Sequence, residues 1–74
     1  LTPELLSAAQ SLSLRQRQVF TQLGQGLSSE QIANNLGITL RTVRLHRDAL
    51  RQKLNFKNQI EMARIYNAIH QLEL

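Results

Sequence analysis

Apolar residues recur three and four positions apart along most of the chain, which is the pattern of helices that bury one face. Ser, Thr or Asn stands at or shortly before the start of each of these segments, as at helix starts, and glycine follows two of them. No segment shows the sustained alternation that is typical of a strand. The pattern predicts helices over about residues 4–10, 14–25, 28–36, 40–54 and 58–72. We therefore expect an all-α fold.

The third and fourth segments carry the clearest local signals. Ser28 and Gln31 have the spacing of a reciprocal capping box, which fixes the start of the third helix. Gly37 suits the residue that ends this helix at positive φ, and Thr39 caps the next helix. Only about three residues, 37–39, separate the two helices. This spacing predicts a helix-turn-helix.

The fourth helix has one apolar and one polar face. At 100° per residue, Val43, Leu50 and Leu54 fall together and form the predicted buried stripe. The opposite side is polar, apart from a single leucine. The major groove of DNA is wide enough to admit a helix that presents such a face. Its members are Arg41, Arg44, Leu45, Asp48 and Gln52.

Each residue type on this polar face has a partner among base edges. Arginine pairs with guanine, glutamine with adenine, aspartate with the cytosine amino group, and leucine contacts the thymine methyl. Other residues are placed to contact phosphates, either on the flank of the helix or at the start of the preceding one. These phosphate candidates are Thr42, His46, Lys53, Lys57, Ser29 and Gln31. For His46, a hydrogen-bonded place at the edge of the core is an equal alternative.

Two arginines of the fourth helix do not belong clearly to the polar face. Arg47 points towards the apolar stripe, so we expect its guanidinium to reach a backbone carbonyl or Gln16. Arg51 lies between the two faces and its direction is open.

The last helix has two apolar stripes, and a domain of this size can hardly cover both. One stripe is therefore expected to meet a second copy or another domain, and the pattern does not decide which. One stripe contains Met62, Ile65, Tyr66, Ile69 and Leu72, and the other contains Ile60, Ala63 and Leu74. The candidate residues for this contact are Ile60, Met62, Ala63, Ile65, Tyr66 and Ile69.

The charge supports a polyanionic partner. The chain carries a net charge of +4, and residues 41–53 alone, with five bases and one acid, account for all of it. A solvated helix face usually mixes both signs, so this imbalance favours nucleic acid. With 74 residues, no Cys and two His, the chain is expected to form one small domain without a disulfide, a metal site or a cofactor. No apolar run exceeds two residues, which excludes a membrane span.

A set of short motifs lies between Leu12 and Arg64, and their spacing matches that of a known family without insertions or deletions. It comprises Leu12-Ser13 with Arg15 and Arg17, Val19-Phe20, Gly26-Leu27-Ser28, Gln31-Ile32-Ala33, Leu36-Gly37-Ile38, Thr42 to Arg47 and Lys53-Leu54. In these residues the chain resembles the LuxR-type DNA-binding domain shared by LuxR and NarL/FixJ transcription regulators.

The resemblance implies a compact four-helix domain over residues 12–74, preceded by a linker or short helix over residues 1–11. It implies that the helix at 40–54 enters the major groove, that Arg44, Leu45 and Asp48 contact bases, and that the last helix forms a homodimer. Four positions depart from the family. Leu14 and Gln16 replace its usual Pro and Glu, so a neutral hydrogen bond is expected in place of the ion pair with Arg47. Arg51 replaces an apolar residue and Asp48 one that is often neutral or basic.

These observations predict the DNA-binding domain of a bacterial, cytoplasmic transcription regulator that binds double-stranded DNA as a dimer. The chain begins at Leu1, so a receiver or sensor domain is expected to precede it in a longer protein, and RNA polymerase is a further candidate partner. The alternatives are a sigma-factor helix-turn-helix and a protein-interaction module. Without a catalytic constellation or a phosphate loop, the chain is not expected to be an enzyme.

Overall fold

The computed structural model describes residues 2–73, with side chains through Gln71. Within these residues the chain forms five helices and no strand, as the apolar spacing predicts. The molecule measures 33 × 22 × 20 Å. The helices are α1 (Pro3–Gln10), α2 (Leu14–Gly24), α3 (Ser29–Leu36), α4 (Leu40–Leu54) and α5 (Gln59–Glu73).

Side-chain caps fix where the first four helices start. Thr2 Oγ1 accepts a hydrogen bond from the Leu5 amide at 3.0 Å, and Thr39 caps α4 in the same way. Complete capping boxes open α2 and α3. At α3 the Ser28 amide donates to Gln31 Oε1 at 2.8 Å, and the Gln31 amide donates to Ser28 Oγ at 3.1 Å. The capping predictions are therefore confirmed.

Residues with positive φ end α2, α3 and α4. Gly26 (φ 92°) follows α2, and Gly37 (φ 67°) ends α3. In both cases the next amide donates to a carbonyl five residues earlier, which is the main bond of a Schellman motif. Asn55 (φ 56°) ends α4 in the left-handed conformation that asparagine tolerates better than most residues. Gly37 therefore sets the sharp turn between α3 and α4.

Helix α4 lies at the centre of the fold and packs against α1, α2 and α3. Val43, Leu50 and Leu54 are buried, which confirms the predicted stripe. Phe56, in the break after α4, is also buried, although the sequence pattern gave it no role. The largest side chains that solvent hardly reaches are Ile32, Leu50, Leu54, Met62, Val19 and Val43.

The first and last helices close the core from two sides. Ala9 of α1 is buried in the core cluster, so α1 packs on the domain rather than extending from it. Helix α5 packs on α2, where the Tyr66 ring meets the Phe20 ring edge-on at a centroid distance of 5.6 Å. The division of the chain at residue 12 stays a prediction. No helix in the described part of the chain is both long and apolar enough to cross a bilayer.

Candidate nucleic-acid interface

The outer face of α4 presents the five residues that the sequence pattern places there. All of them are exposed, while the opposite face of the same helix is buried against α1, α2 and α3. Val43, Leu50 and Leu54 anchor the helix in the core, so its outer face is turned to solvent. The exposed set consists of Arg41, Arg44, Leu45, Asp48 and Gln52.

Leu45 stands out on this face because it is a large apolar residue with 60% of its surface exposed. It lies beside Arg44 and one turn from Arg41, so it does not belong to an apolar patch. A single exposed leucine is ordinary on a protein surface. Leu45 therefore offers one apolar contact on a face whose other side chains are polar or charged.

Arg51 points towards the outer face of α4. Its Nη2 atom lies 3.2 Å from Asp48 Oδ1, which forms an ion pair across one helical turn. The side chains are 57% and 61% exposed for Arg51 and Asp48, so both ends of the pair face solvent. The sequence pattern leaves the direction of the Arg51 side chain open, and in the structure this side chain points towards Asp48 on the outer face.

One flank of α4 is tied to the start of helix α2. Lys53 Nζ donates to Gln16 Oε1 at 3.1 Å, and the same oxygen accepts from the Ser13 amide at 3.1 Å. The expectation for Arg47 is wrong, because its guanidinium donates neither to Gln16 nor to a backbone carbonyl of the described residues, and Lys53 donates to Gln16 instead. Gln16 thus joins the cap of α2 to the last turn of α4, over 37 residues of sequence.

Thr42 and His46 lie on the same flank, and both are half-buried. The hydroxyl of Thr42 is 2.9 Å from that of Thr39, which links the first turn of α4 to its cap. Lys57 follows the end of α4 and is exposed. Its backbone amide donates to Glu61 Oε1 at 2.8 Å, and its side chain forms no hydrogen bond to another of the described residues.

Arg47 is exposed, and together with Arg44 it lines a surface depression at the start of α3. Ser28, Ser29 and Glu30 form the other wall. The backbone amide of Gln31 is already donated to its capping serine, so only the side chain of Gln31 faces outward as a donor. The depression therefore brings two guanidinium groups to the N-terminus of a helix.

The described residues bury no charged side chain, so the bases of α4 act at the surface. Residues 41–53 hold five bases and one acid, and Asp48, the acid, is paired with Arg51. The unbalanced positive charge thus lies on the exposed side of α4. Among the described residues, no group of three or more His, Cys, Asp or Glu is placed to hold a metal ion.

Helix α5 turns one of its two apolar stripes into the domain. Met62 is 1% exposed and Ile69 is 8% exposed, and Ile65 and Tyr66 pack partly against the same core. Ile60, on the other stripe, is 67% exposed. Ala63 is half-buried, and the side chains of Leu72 and Leu74 lie outside the described residues. The core of the same domain therefore buries the stripe that contains Met62, whereas Ile60 remains exposed to solvent.

Comparison with known proteins agrees with this architecture. The family model GerE, described as bacterial regulatory proteins of the luxR family, matches residues 10–66. The chain is 43% identical over 53 residues to the transcriptional regulatory protein UhpA of Escherichia coli strain K12, covering 72% of this chain and 27% of that protein. It is 40% identical over 68 residues to UhpA of Salmonella typhimurium strain LT2, covering 85% and 35%.

A third relative is the glycerol metabolism activator of Pseudomonas putida, which is 41% identical over 59 residues, covering 80% of this chain and 25% of that protein. The chain thus spans about a third or less of the length of these curated relatives. No solved structure gives a significant match. The family match covers most of the chain and includes α2, α3 and α4 in full, together with about the first half of α5. The chain therefore belongs to the luxR family of bacterial regulatory proteins, as a helix-turn-helix domain of DNA-binding transcription regulation.

Proposed function

We propose that this domain is the C-terminal effector domain of a bacterial transcription regulator and binds specific double-stranded DNA with α4 in the major groove. The observation that carries the proposal is the outer face of α4, which is exposed, polar apart from Leu45, and backed by the buried residues Val43, Leu50 and Leu54. A major groove admits one helix, and side chains on its outer face reach base edges.

Arg44, Leu45 and Asp48 are the central base readers in this proposal. Arg44 pairs with guanine, Leu45 contacts a thymine methyl, and Asp48 accepts a hydrogen bond from a cytosine amino group. Arg41 and Gln52 lie on the same exposed face and extend it towards the two ends of α4. We propose them as the outer base contacts.

Phosphate contacts supply most of the affinity and position the helix. Lys53 and Thr42 lie on the flank of α4, and the start of α3 adds its first amides to the arginine-lined depression. His46 is half-buried, so its contact with a phosphate would come from the rim of the interface. The proposed set is Thr42, His46, Lys53, Lys57, Ser29 and Gln31.

We propose that two copies pair through α5 when they bind DNA. The stripe of Ile60 and Ala63 supports this, because Ile60 is exposed whereas Met62 and Ile69 are occupied by the core of their own domain. A dimer of helix-turn-helix domains places its two reading helices about one turn of DNA apart. The operator would then contain two half-sites with that spacing, as an inverted or direct repeat.

The longer relatives suggest what surrounds this domain. UhpA is named as a transcriptional regulatory protein, and the chain covers 27% of the Escherichia coli protein. We propose that a receiver or sensor domain precedes this domain, as in a response regulator, that the protein acts in the cytoplasm, and that RNA polymerase is a partner at the promoter. We propose a binding role without catalysis.

Fluorescence anisotropy of the 74-residue chain with random and selected duplexes, across a salt series, tests this function. We expect affinity to fall steeply with salt, because phosphate binding releases counterions. Arg44→Ala should weaken binding to the selected duplex more than to random DNA. Arg64→Ala removes the same charge from the exposed surface of α5 and is the matched control. Equal losses for both variants, or no binding at low salt, would contradict the proposal.

A further inference from the structure

We infer that Arg51 and Asp48 work as one specificity element, in which Arg51 positions the Asp48 carboxylate to accept a hydrogen bond from a cytosine amino group. The inference rests on the proposed function, in which α4 enters the major groove. It goes further by assigning a role to Arg51 and a base preference to the pair.

The geometry joins two residues that both depart from the LuxR pattern. Arg51 Nη2 contacts Asp48 Oδ1 at 3.2 Å, and both side chains are more than half exposed. A carboxylate has a second oxygen with its own lone pairs, so one oxygen can hold the guanidinium while the other accepts from a base. In the proposed role, this contact favours the Asp48 conformation in which the second oxygen is free to accept.

Electrostatics explains why Asp48 needs this partner. DNA carries about one negative charge per 1.7 Å of its axis, so an unpaired carboxylate in the groove is repelled. Asp48 is the one acid among residues 41–53. Arg51 offsets its charge from the adjacent turn without covering it, since Asp48 keeps 61% of its side chain exposed. Asp48 can then enter the groove with little loss of affinity.

The pair also predicts which base is rejected. At the major-groove edge, cytosine presents an amino donor where thymine presents a carbonyl acceptor. A carboxylate accepts from the first and is repelled by the second. Replacing the C·G pair opposite Asp48 by T·A should therefore weaken binding by about tenfold, within the usual range for a wrong base pair.

Arg51 could instead be a simple phosphate contact, and a double-mutant cycle separates the two roles. The test uses the selected duplex and its three substitutions at the C·G pair, with the wild-type chain, Asp48→Ala, Arg51→Ala and the double variant. Both residues are exposed on the surface, so all variants should fold, which circular dichroism checks. Arg64→Ala controls for net charge.

We expect Asp48→Ala to reduce the discrimination between C·G and T·A from about tenfold to less than threefold. When Asp48 is present, Arg51→Ala should lower the affinity for every duplex. In the Asp48→Ala background, the same substitution should cause a loss of affinity that is severalfold smaller. Arg51→Lys should recover part of the affinity, but less of the C·G preference, because a lysine does not hold a carboxylate in a fixed direction.

Two results would overturn the inference while leaving the proposed function intact. One is an Arg51→Ala loss that is the same in both backgrounds and that lowers the salt slope by about one, as for a phosphate contact. The other is an unchanged base preference in Asp48→Ala. Failure of the wild-type chain to bind any duplex at low salt would instead overturn the proposed function, and the inference with it.

Discussion

The ring of Tyr66 lies directly against Gly24, so that a Cβ atom on residue 24 would overlap the ring carbons. This contact sets how closely the end of α2 approaches α5. The same ring meets Phe20, one turn before Gly24 on α2, edge-on with the ring planes at 71°. A glycine at the end of α2 therefore serves the packing of the last helix, and the chain turn is made by Gly26 instead.

Gly24→Ala should lower the free energy of unfolding by about 1–2 kcal/mol. Overpacking typically costs about 1–3 kcal/mol, and the better helix propensity of alanine returns about 0.5–1 kcal/mol. Urea denaturation measures the change. In a Tyr66→Ala background the overlap is gone, so Gly24→Ala should be neutral or stabilising there. Gln25→Ala, at an exposed neighbour, is the control. A stabilising effect of Gly24→Ala in the presence of Tyr66 would contradict the packing argument.

Local signals in the sequence were enough to predict most of the fold. Capping residues and glycines define helix ends through bonds within a few residues, and they predicted the starts at Ser13, Ser28 and Thr39. The helical period predicted the burial of Val43 and the exposure of Arg44, because it also depends only on residues close together in the sequence. Contacts between distant segments left no such signal. The place of Gly24 under Tyr66 and the bond from Lys53 to Gln16 depend on how helices meet, and no spacing reveals them.

Ser28→Ala should destabilise the domain by about 1 kcal/mol, because it removes the N-cap of α3 and leaves the Gln31 amide without its acceptor. Ser29→Ala, one residue later, is the matched control and should change stability by less than about 0.5 kcal/mol. Thermal or urea denaturation gives both values. The phosphate contact proposed at the start of α3 is made by backbone amides, so Ser29→Ala should leave DNA binding unchanged. Equal destabilisation by the two variants would show that the cap contributes nothing particular.

Asn55→Ala should cost about 1 kcal/mol, because residue 55 adopts the left-handed conformation that ends α4. Asn55→Gly should stay within about 0.5 kcal/mol of the natural chain, since glycine adopts this conformation freely but has more conformational entropy to lose. Asn34→Ala is the control, because Asn34 is exposed within helix α3 and alanine should gain a few tenths of a kcal/mol there. Urea denaturation orders the three. An Asn55→Ala variant as stable as Asn55→Gly would refute the strain argument.

The two stripes of α5 predict opposite behaviour for two neighbouring residues. Met62→Ala should cost about 2–5 kcal/mol, as usual for a large core side chain, because Met62 is 1% exposed. A domain of this size has a total stability of about 4–11 kcal/mol, so that variant should be marginal. Ile60→Ser, at a residue that is 67% exposed, should change the stability of one copy by less than about 0.5 kcal/mol.

The same Ile60→Ser variant tests the proposed pairing of two copies. On a duplex with two half-sites, analytical ultracentrifugation should find a second copy bound less tightly than in the wild-type chain, while binding to a single half-site should not change. Ser7→Ala, at an exposed residue of α1 outside the proposed dimer contact, is the control. Unchanged cooperativity in Ile60→Ser would exclude this stripe as the dimer contact. Because Met62 and Ile69 are held in the core of one copy, pairing through their stripe would then require the domain to open.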